Sequence, residues 1–126
     1  QRDYEKANKL YRRAGELGCA VGYCNLGNSY DYGRGLERDK KKARYFYELA
    51  AMNGDVTARH NLACLEGNAG NHNRAMTHYI LAARAGYKDS LDAVKKGFMK
   101  GLLAKDEYAN TLRAYQQRDD EMKNDD

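Results

Sequence analysis

Cys24, His60 and Cys64 are the side chains of this 126-residue chain best suited to metal or thiol chemistry. Cys24 and His60 each follow a glycine by six residues, and Cys64 lies four residues, one helical turn, beyond His60. Thiolate and imidazole are good zinc ligands, but structural zinc sites normally close with four. No fourth ligand is in register, because His72 and His78 belong to the segment that follows. The preferred reading makes these three residues part of a groove of mixed polarity, with no metal and no cofactor. Nucleophilic catalysis has less to stand on. Ser29 and Ser90 are the two serines, and neither a GxSxG nor an HExxH arrangement is present. Gly33-Arg34-Gly35 shares only its glycines with a phosphate loop, since Leu36-Glu37-Arg38 follows where a further Gly or a Gly-Lys-Ser/Thr is needed. It reads as a turn, and the chain is not expected to be an enzyme.

Charge adds no nucleic-acid or membrane signal. Twenty-two basic against 18 acidic residues leave +4, and the clusters Lys40-Lys41-Lys42 with Arg44, and Lys95-Lys96 with Lys100, read as solvated helix faces. No apolar run reaches the length of a membrane span. Three cysteines are an odd number for a disulfide framework and favour a reduced, intracellular setting.

The elements that must position these residues are helices. Leu, Ile, Val and Phe contribute only 18 of 126 residues, whereas Ala contributes 17 and Tyr 11, so the core must be built from small residues and rings. Pro is absent, and Ile, Val and Thr together number seven, which excludes a β protein and permits long uninterrupted helices. One pattern recurs three times. Asp3/Asp39/Asn71, Ala7/Ala43/Ala75, Tyr11/Tyr47/Tyr79, Ala14/Ala50/Ala82 and Gly18/Gly54/Gly86 align at spacings of 36 and then 32. Ala, Tyr and Ala at i, i+4 and i+7 share one helical face. The Asp or Asn ahead of them is a ready N-cap, and the Gly behind them a ready left-handed stop. Between these helices run others with Leu26, Leu62 and Val94 in equivalent places, and Asp55 and Asp89 are candidate caps for them. The spacing predicts helices near 3–17, 19–32, 39–53, 55–67, 71–85, 88–100 and 105–120. Alternating helices of this period cannot bury a face alone and must stack. The expected fold class is therefore all-α, a right-handed superhelix of about seven antiparallel helices.

The stretch Leu26-GNSYDYGRGLERDKKK-Ala43, continued by Tyr47, Ala50, Ala51 and Gly54, resembles the Sel-one-like repeat, a relative of the tetratricopeptide repeat, with signature L-G-x-x-Y-x-x-G-x-G-V-x-x-D followed by K-A-x-x-Y-x-x-A-A-x-x-G. Leu36 stands in the Val slot. A shortened copy covers 55–86, departing at Ala63 and Glu66, and the region after Ser90 is similar to the terminal repeats of microalgal arrays. The chain divides accordingly into 1–18, the second helix of a truncated repeat; 19–54, a repeat; 55–86, a short repeat; and 87–126, a degenerate capping repeat.

The resemblance implies an adaptor or scaffold that presents a concave groove to a partner peptide or domain. The alternative is a spacer that positions a catalytic or ubiquitin-ligase-type domain elsewhere in a longer chain, since the sequence begins with Gln and reads as a fragment. By alignment with tetratricopeptide relatives the groove positions are Cys24, Asn28, Asp31 and Tyr32, then His60, Cys64 and Asn68, then Asp92 and Lys96. The first helix, carrying Ala7, Leu10, Tyr11 and Ala14, lacks its partner and is expected to be half covered or to self-associate.

Overall fold

A computed structural model describes residues 2–124, and within them the chain forms seven helices and no strand. These are α1 (Arg2–Glu16), α2 (Ala20–Tyr32), α3 (Lys40–Met52), α4 (Val56–Asn68), α5 (His72–Arg84), α6 (Lys88–Met99) and α7 (Lys105–Lys123). Each lies within three residues of its predicted span. The helix continues through the polar close, to Lys123, and the last two residues of that expected tail lie outside the described part. The chain divides into two units, 1–62 and 63–126, with the division inside α4.

The repeated glycines end the helices by one mechanism. At Gly54, φ is +93°, its N–H donates to the Ala51 carbonyl at 3.0 Å, and the Asp55 N–H donates to Ala50 at 3.0 Å. This is the Schellman arrangement, which satisfies two carbonyls that the helix would leave open. Gly18 and Gly86 repeat it, with Cys19 N–H on the Ala14 carbonyl and Tyr87 N–H on the Ala82 carbonyl. The alanine of the repeat thus has two functions: its methyl packs and its carbonyl anchors the turn.

The residue after each of these glycines then stands at the cap position of the next helix, where Cys19 and Tyr87 make no side-chain bond. Asp55 caps with its side chain, accepting the Ala58 N–H at 2.9 Å, and Asp39 likewise accepts the Lys42 N–H at 3.1 Å. Three expected caps are corrected. Asp3 lies in the first turn of α1, Asn71 makes no side-chain cap bond, and Asp89 sits inside α6, whose cap position is Tyr87. The reason at Asp89 is the turn itself, because a Schellman ending leaves one residue between its glycine and the next helix, which has begun before position 89.

In the first unit α2 packs against both α1 and α3. A Cβ on Gly22 would stand 2.4 Å from the Tyr11 carbonyl oxygen and 2.8 Å from the Ala14 Cβ, so α1 and α2 meet there at backbone distance. On the other side Ala43, Tyr47 and Ala50 of α3 are fully buried, and the Tyr47 ring fills the space left open by Gly27. Leu26, also buried, contributes about 1.5–3 kcal/mol by removal from water. In the second unit α5, α6 and α7 pack pairwise around Met76, Ala83, Leu91 and Val94, with Tyr79, Ile80, Tyr108 and Leu112 at the margin. The Phe98 and Tyr108 rings stack at 4.4 Å.

Candidate functional site

The best-defined part of the predicted groove is the α2 face carrying Cys24, Asn28, Asp31 and Tyr32. Residues 24, 28 and 31 fall one helical turn apart, so they share a stripe that α3 and α4 complete from the side. Tyr47 of α3 donates its hydroxyl to Asn28 Oδ1 at 2.6 Å and lies 3.4 Å from Asp31 Oδ2. Asn61 of α4 donates to the same Asn28 oxygen at 3.2 Å and contacts Cys24 Sγ at 3.9 Å. Lys40, at the start of α3, pairs with the Asp31 carboxylate. The structure therefore draws Cys24, Asn28 and Asp31 into one polar cluster.

The cluster separates supports from presented groups. Cys24 is 5% exposed and Asp31 9%, whereas Asn28 is half-buried and Tyr32 is 63% exposed, with the Arg34 guanidinium 4.9 Å from its ring centre. Asn28 Oδ1 is saturated by two donors, so its amide is held in one orientation. Burial first, then the Asp55 carboxylate, pushes the Cys24 thiol up to about 12 against a contrary pull from Asn61. A thiol so held stays protonated near neutrality and is neither nucleophile nor ready metal ligand. Burial, and then Asp31, likewise holds the Tyr47 phenol protonated far above its ordinary range.

The other predicted positions lie on α4 and α6. His60 is half-buried on α4. In the second unit Cys64 is half-buried and accepts the Tyr79 hydroxyl at 3.3 Å; burial, and then this contact, raises the Tyr79 phenol. Asn68, the last residue of α4, is exposed, as are Asp92 and Lys96 one turn apart on α6. The three cysteines are free, and among the described residues no three His, Cys, Asp or Glu side chains gather closely enough to hold a metal. No described helix is long and apolar enough to cross a membrane.

Sequence reasoning missed Asn61, Lys40 and the polar role of Tyr47. A signal for Asn61 was present, since Asn25-Leu26 and Asn61-Leu62 occupy equivalent places in successive repeats.

The Sel1 repeat profile matches residues 1–19, 20–55 and 56–87, most of the chain. The chain belongs to the Sel1 repeat family. Two solved structures carry the same fold. A Sel1 repeat protein from Oxalobacter formigenes superposes with a TM-score of 0.75 at 24% identity, over 93% of this chain and 51% of that one. A protective antigen of uropathogenic Escherichia coli strains, displaying an SLR fold, gives 0.72 at 25% identity over 86% of this chain and 25% of its own. The fold class is thus the all-α Sel1 solenoid. An F-box protein of Arabidopsis thaliana is 48% identical over 62 residues, which is 48% of this chain and 17% of that protein. The chain therefore spans a sixth to a half of the lengths of these relatives. Sel1 solenoids are commonly protein-interaction modules and typically binding scaffolds rather than catalysts.

Proposed function

We propose that this Sel1 array is an adaptor or scaffold whose first-helix face receives a peptide or domain of a protein partner. The observation that carries the reading is the α2 stripe. Tyr32 is exposed beside an Asn28 amide whose orientation Tyr47 and Asn61 fix from behind. A group oriented before binding loses little freedom on complex formation, which favours affinity. In this reading Asn28, Tyr32, His60, Cys64, Asn68, Asp92 and Lys96 offer contacts, while Cys24 and Asp31 hold the stripe in shape. An aromatic ring with amide, imidazole, carboxylate and amine groups suits an extended or helical segment bearing its own mixed polarity.

A partner captured by pull-down with the full chain supplies the test. Tyr32→Ala with Asn28→Ala should weaken binding about tenfold or more, as loss of an aromatic anchor and an oriented hydrogen bond does. Lys41→Ala with Glu48→Ala, two exposed changes on α3, should leave it unaltered. The reverse outcome would move the site to the second helices.

A second reading has one observation in its favour. The match to the F-box protein covers 17% of that protein, so there the similar segment sits within a much longer chain. On that reading the repeats space or orient a catalytic or ubiquitin-ligase-type domain, and the groove is unoccupied. A full-length chain whose activity survives the Tyr32/Asn28 changes but fails when the array is shortened by a repeat would support it.

A further inference from the structure

The outward face of α5 departs from the earlier copies of its helix. At the repeat position that is Arg12 in α1 and Glu48 in α3, both exposed, α5 carries Ile80. Ile80 borders a groove of about 500 Å³ in the second unit, which α5 also lines with Asn73, Thr77, Leu81 and Arg84. These positions fall on successive helical turns, so the groove follows α5 for three turns, about 16 Å. Leu102 and Glu107 line its other side. The turn that ends α6 holds Leu102 in place: Gly101 has a φ of +78°, and the Leu102 N–H donates to the Gly97 carbonyl at 2.9 Å. Leu81 is 46% exposed and Leu102 40%, so both are open to contact from outside.

The two ends of the groove carry opposite charge. A Cβ on Gly86, just past α5, would stand 3.0 Å from Arg118 Cγ and 3.8 Å from Met122 Sδ, so the late part of α7 lies beside the end of α5. The two helices therefore run parallel, which sets Glu107, in the first turn of α7, at the Asn73 end and Arg84 at the other. Among the described residues neither Arg84 nor Glu107 makes an ion pair. A helix laid in the groove brings a dipole of its own, which acids in its first turn and bases in its last turn stabilise. Only the antiparallel direction puts those acids against Arg84 and those bases against Glu107. In the parallel direction, charges that suited the groove would oppose the dipole.

We infer that this groove docks an amphipathic helix of a protein partner, about three turns long and antiparallel to α5. Its apolar side chains, spaced i, i+3 or i+4 and i+7, lie on Ile80, Leu81 and Leu102. Its first-turn acids pair with Arg84 and its last-turn bases with Glu107. An extended segment fits less well, since it would cross the same length in about five residues and turn every second side chain away. The inference concerns a second-helix surface and stands whether or not the first-helix stripe is used.

The probe is a fluorescein-labelled helical peptide closed by an i,i+4 lactam, with Glu in its first turn, Leu at i, i+3 and i+7, and Lys in its last turn. Its control carries Lys first and Glu last, and both are titrated against the full chain by anisotropy. The acid-first peptide should bind at least about fivefold more tightly. Leu81→Ser with Leu102→Ser should weaken it about tenfold or more, whereas Leu10→Ser, at a more exposed leucine of α1, should leave it unchanged. Arg84→Glu with Glu107→Lys should reverse the preference between the two peptides. If a variant lowers the melting temperature, amide chemical-shift mapping on the unaltered chain replaces it, and perturbations should centre on residues 73–84 and 102–107. No binding, equal binding of the two peptides, a preference that the charge exchange leaves as it was, an equal loss in Leu10→Ser, or shifts centred elsewhere would each overturn the inference. Sedimentation showing self-association through Leu81 and Leu102 would give the groove to a second copy and overturn it too. Failure here while a captured partner still depends on Tyr32 and Asn28 would leave the proposed function standing.

Discussion

At the scale of single residues, this protein uses polar side chains as internal struts. Tyr47 is the clearest case, a fully buried ring whose hydroxyl reaches across to Asn28 and Asp31. Tyr47→Phe should keep the packing and remove those bonds, costing about 1 kcal/mol in a denaturant titration. Cys24 offers a second check. Its thiol is raised from 9.0 to about 12, so its contribution to stability is complete below pH 9 and is lost as pH rises toward 12. The native state holds the proton that the unfolded chain releases. Stability measured across that window should fall with pH, and Cys24→Ala should flatten the slope. Exposed Cys19 should react with a thiol reagent in the native state, and Cys24 only after unfolding.

At the scale of elements, two kinds of glycine make the helices fit, and substitution separates them. Gly54 has open space where a Cβ would stand but a φ of +93°, so Gly54→Ala should cost about 1–2 kcal/mol through backbone conformation alone. Gly22 has helical backbone and no space, because the Tyr11 carbonyl of α1 stands in the way. Gly22→Ala must push two helices apart, with an expected loss of about 1–3 kcal/mol or more. Ala50→Leu, at a fully buried position of α3, should cost a similar amount by overpacking. Thermal melts of the three variants check the assignment, and a neutral Ala50→Leu would mean the buried face is misplaced. These positions were readable in advance because face and stop recur at fixed offsets in three copies. The cap at Asp89 was not, because the turn closed by the Gly86 and Tyr87 N–H groups sets where α6 begins; Asn71 stands at the cap position of α5 without a side-chain bond, and Asp3 falls inside the first turn of α1.

At the scale of the whole molecule, a repeat array gains stability from each neighbour it stacks on. Leu10 and Leu17, in and just after α1, are 69% and 71% exposed, and Ala7, Tyr11 and Ala14 are only partly buried. Fusing a further first helix of the repeat ahead of α1 should cover this face and raise the melting temperature, with sedimentation reporting any change in self-association. An unaltered melting temperature would show that the exposed leucines have no packing role in a longer array.

What the sequence determined by itself was everything that depends on local offsets. Alanine, tyrosine and glycine at i, i+4, i+7 and i+11 specified which residues are helical, which face is buried and where each helix stops, because those properties are set within one or two turns of backbone. What only the tertiary structure decided was the division of labour on the first-helix face. Cys24, Asn28, Asp31 and Tyr32 look alike in the repeat pattern, yet two are buried supports and one is freely exposed. Their difference comes from Tyr47, Lys40 and Asn61, which lie 9 to 37 residues away along the chain and meet them only when α2, α3 and α4 pack. Periodicity records which way a side chain points, and only packing decides what it meets there.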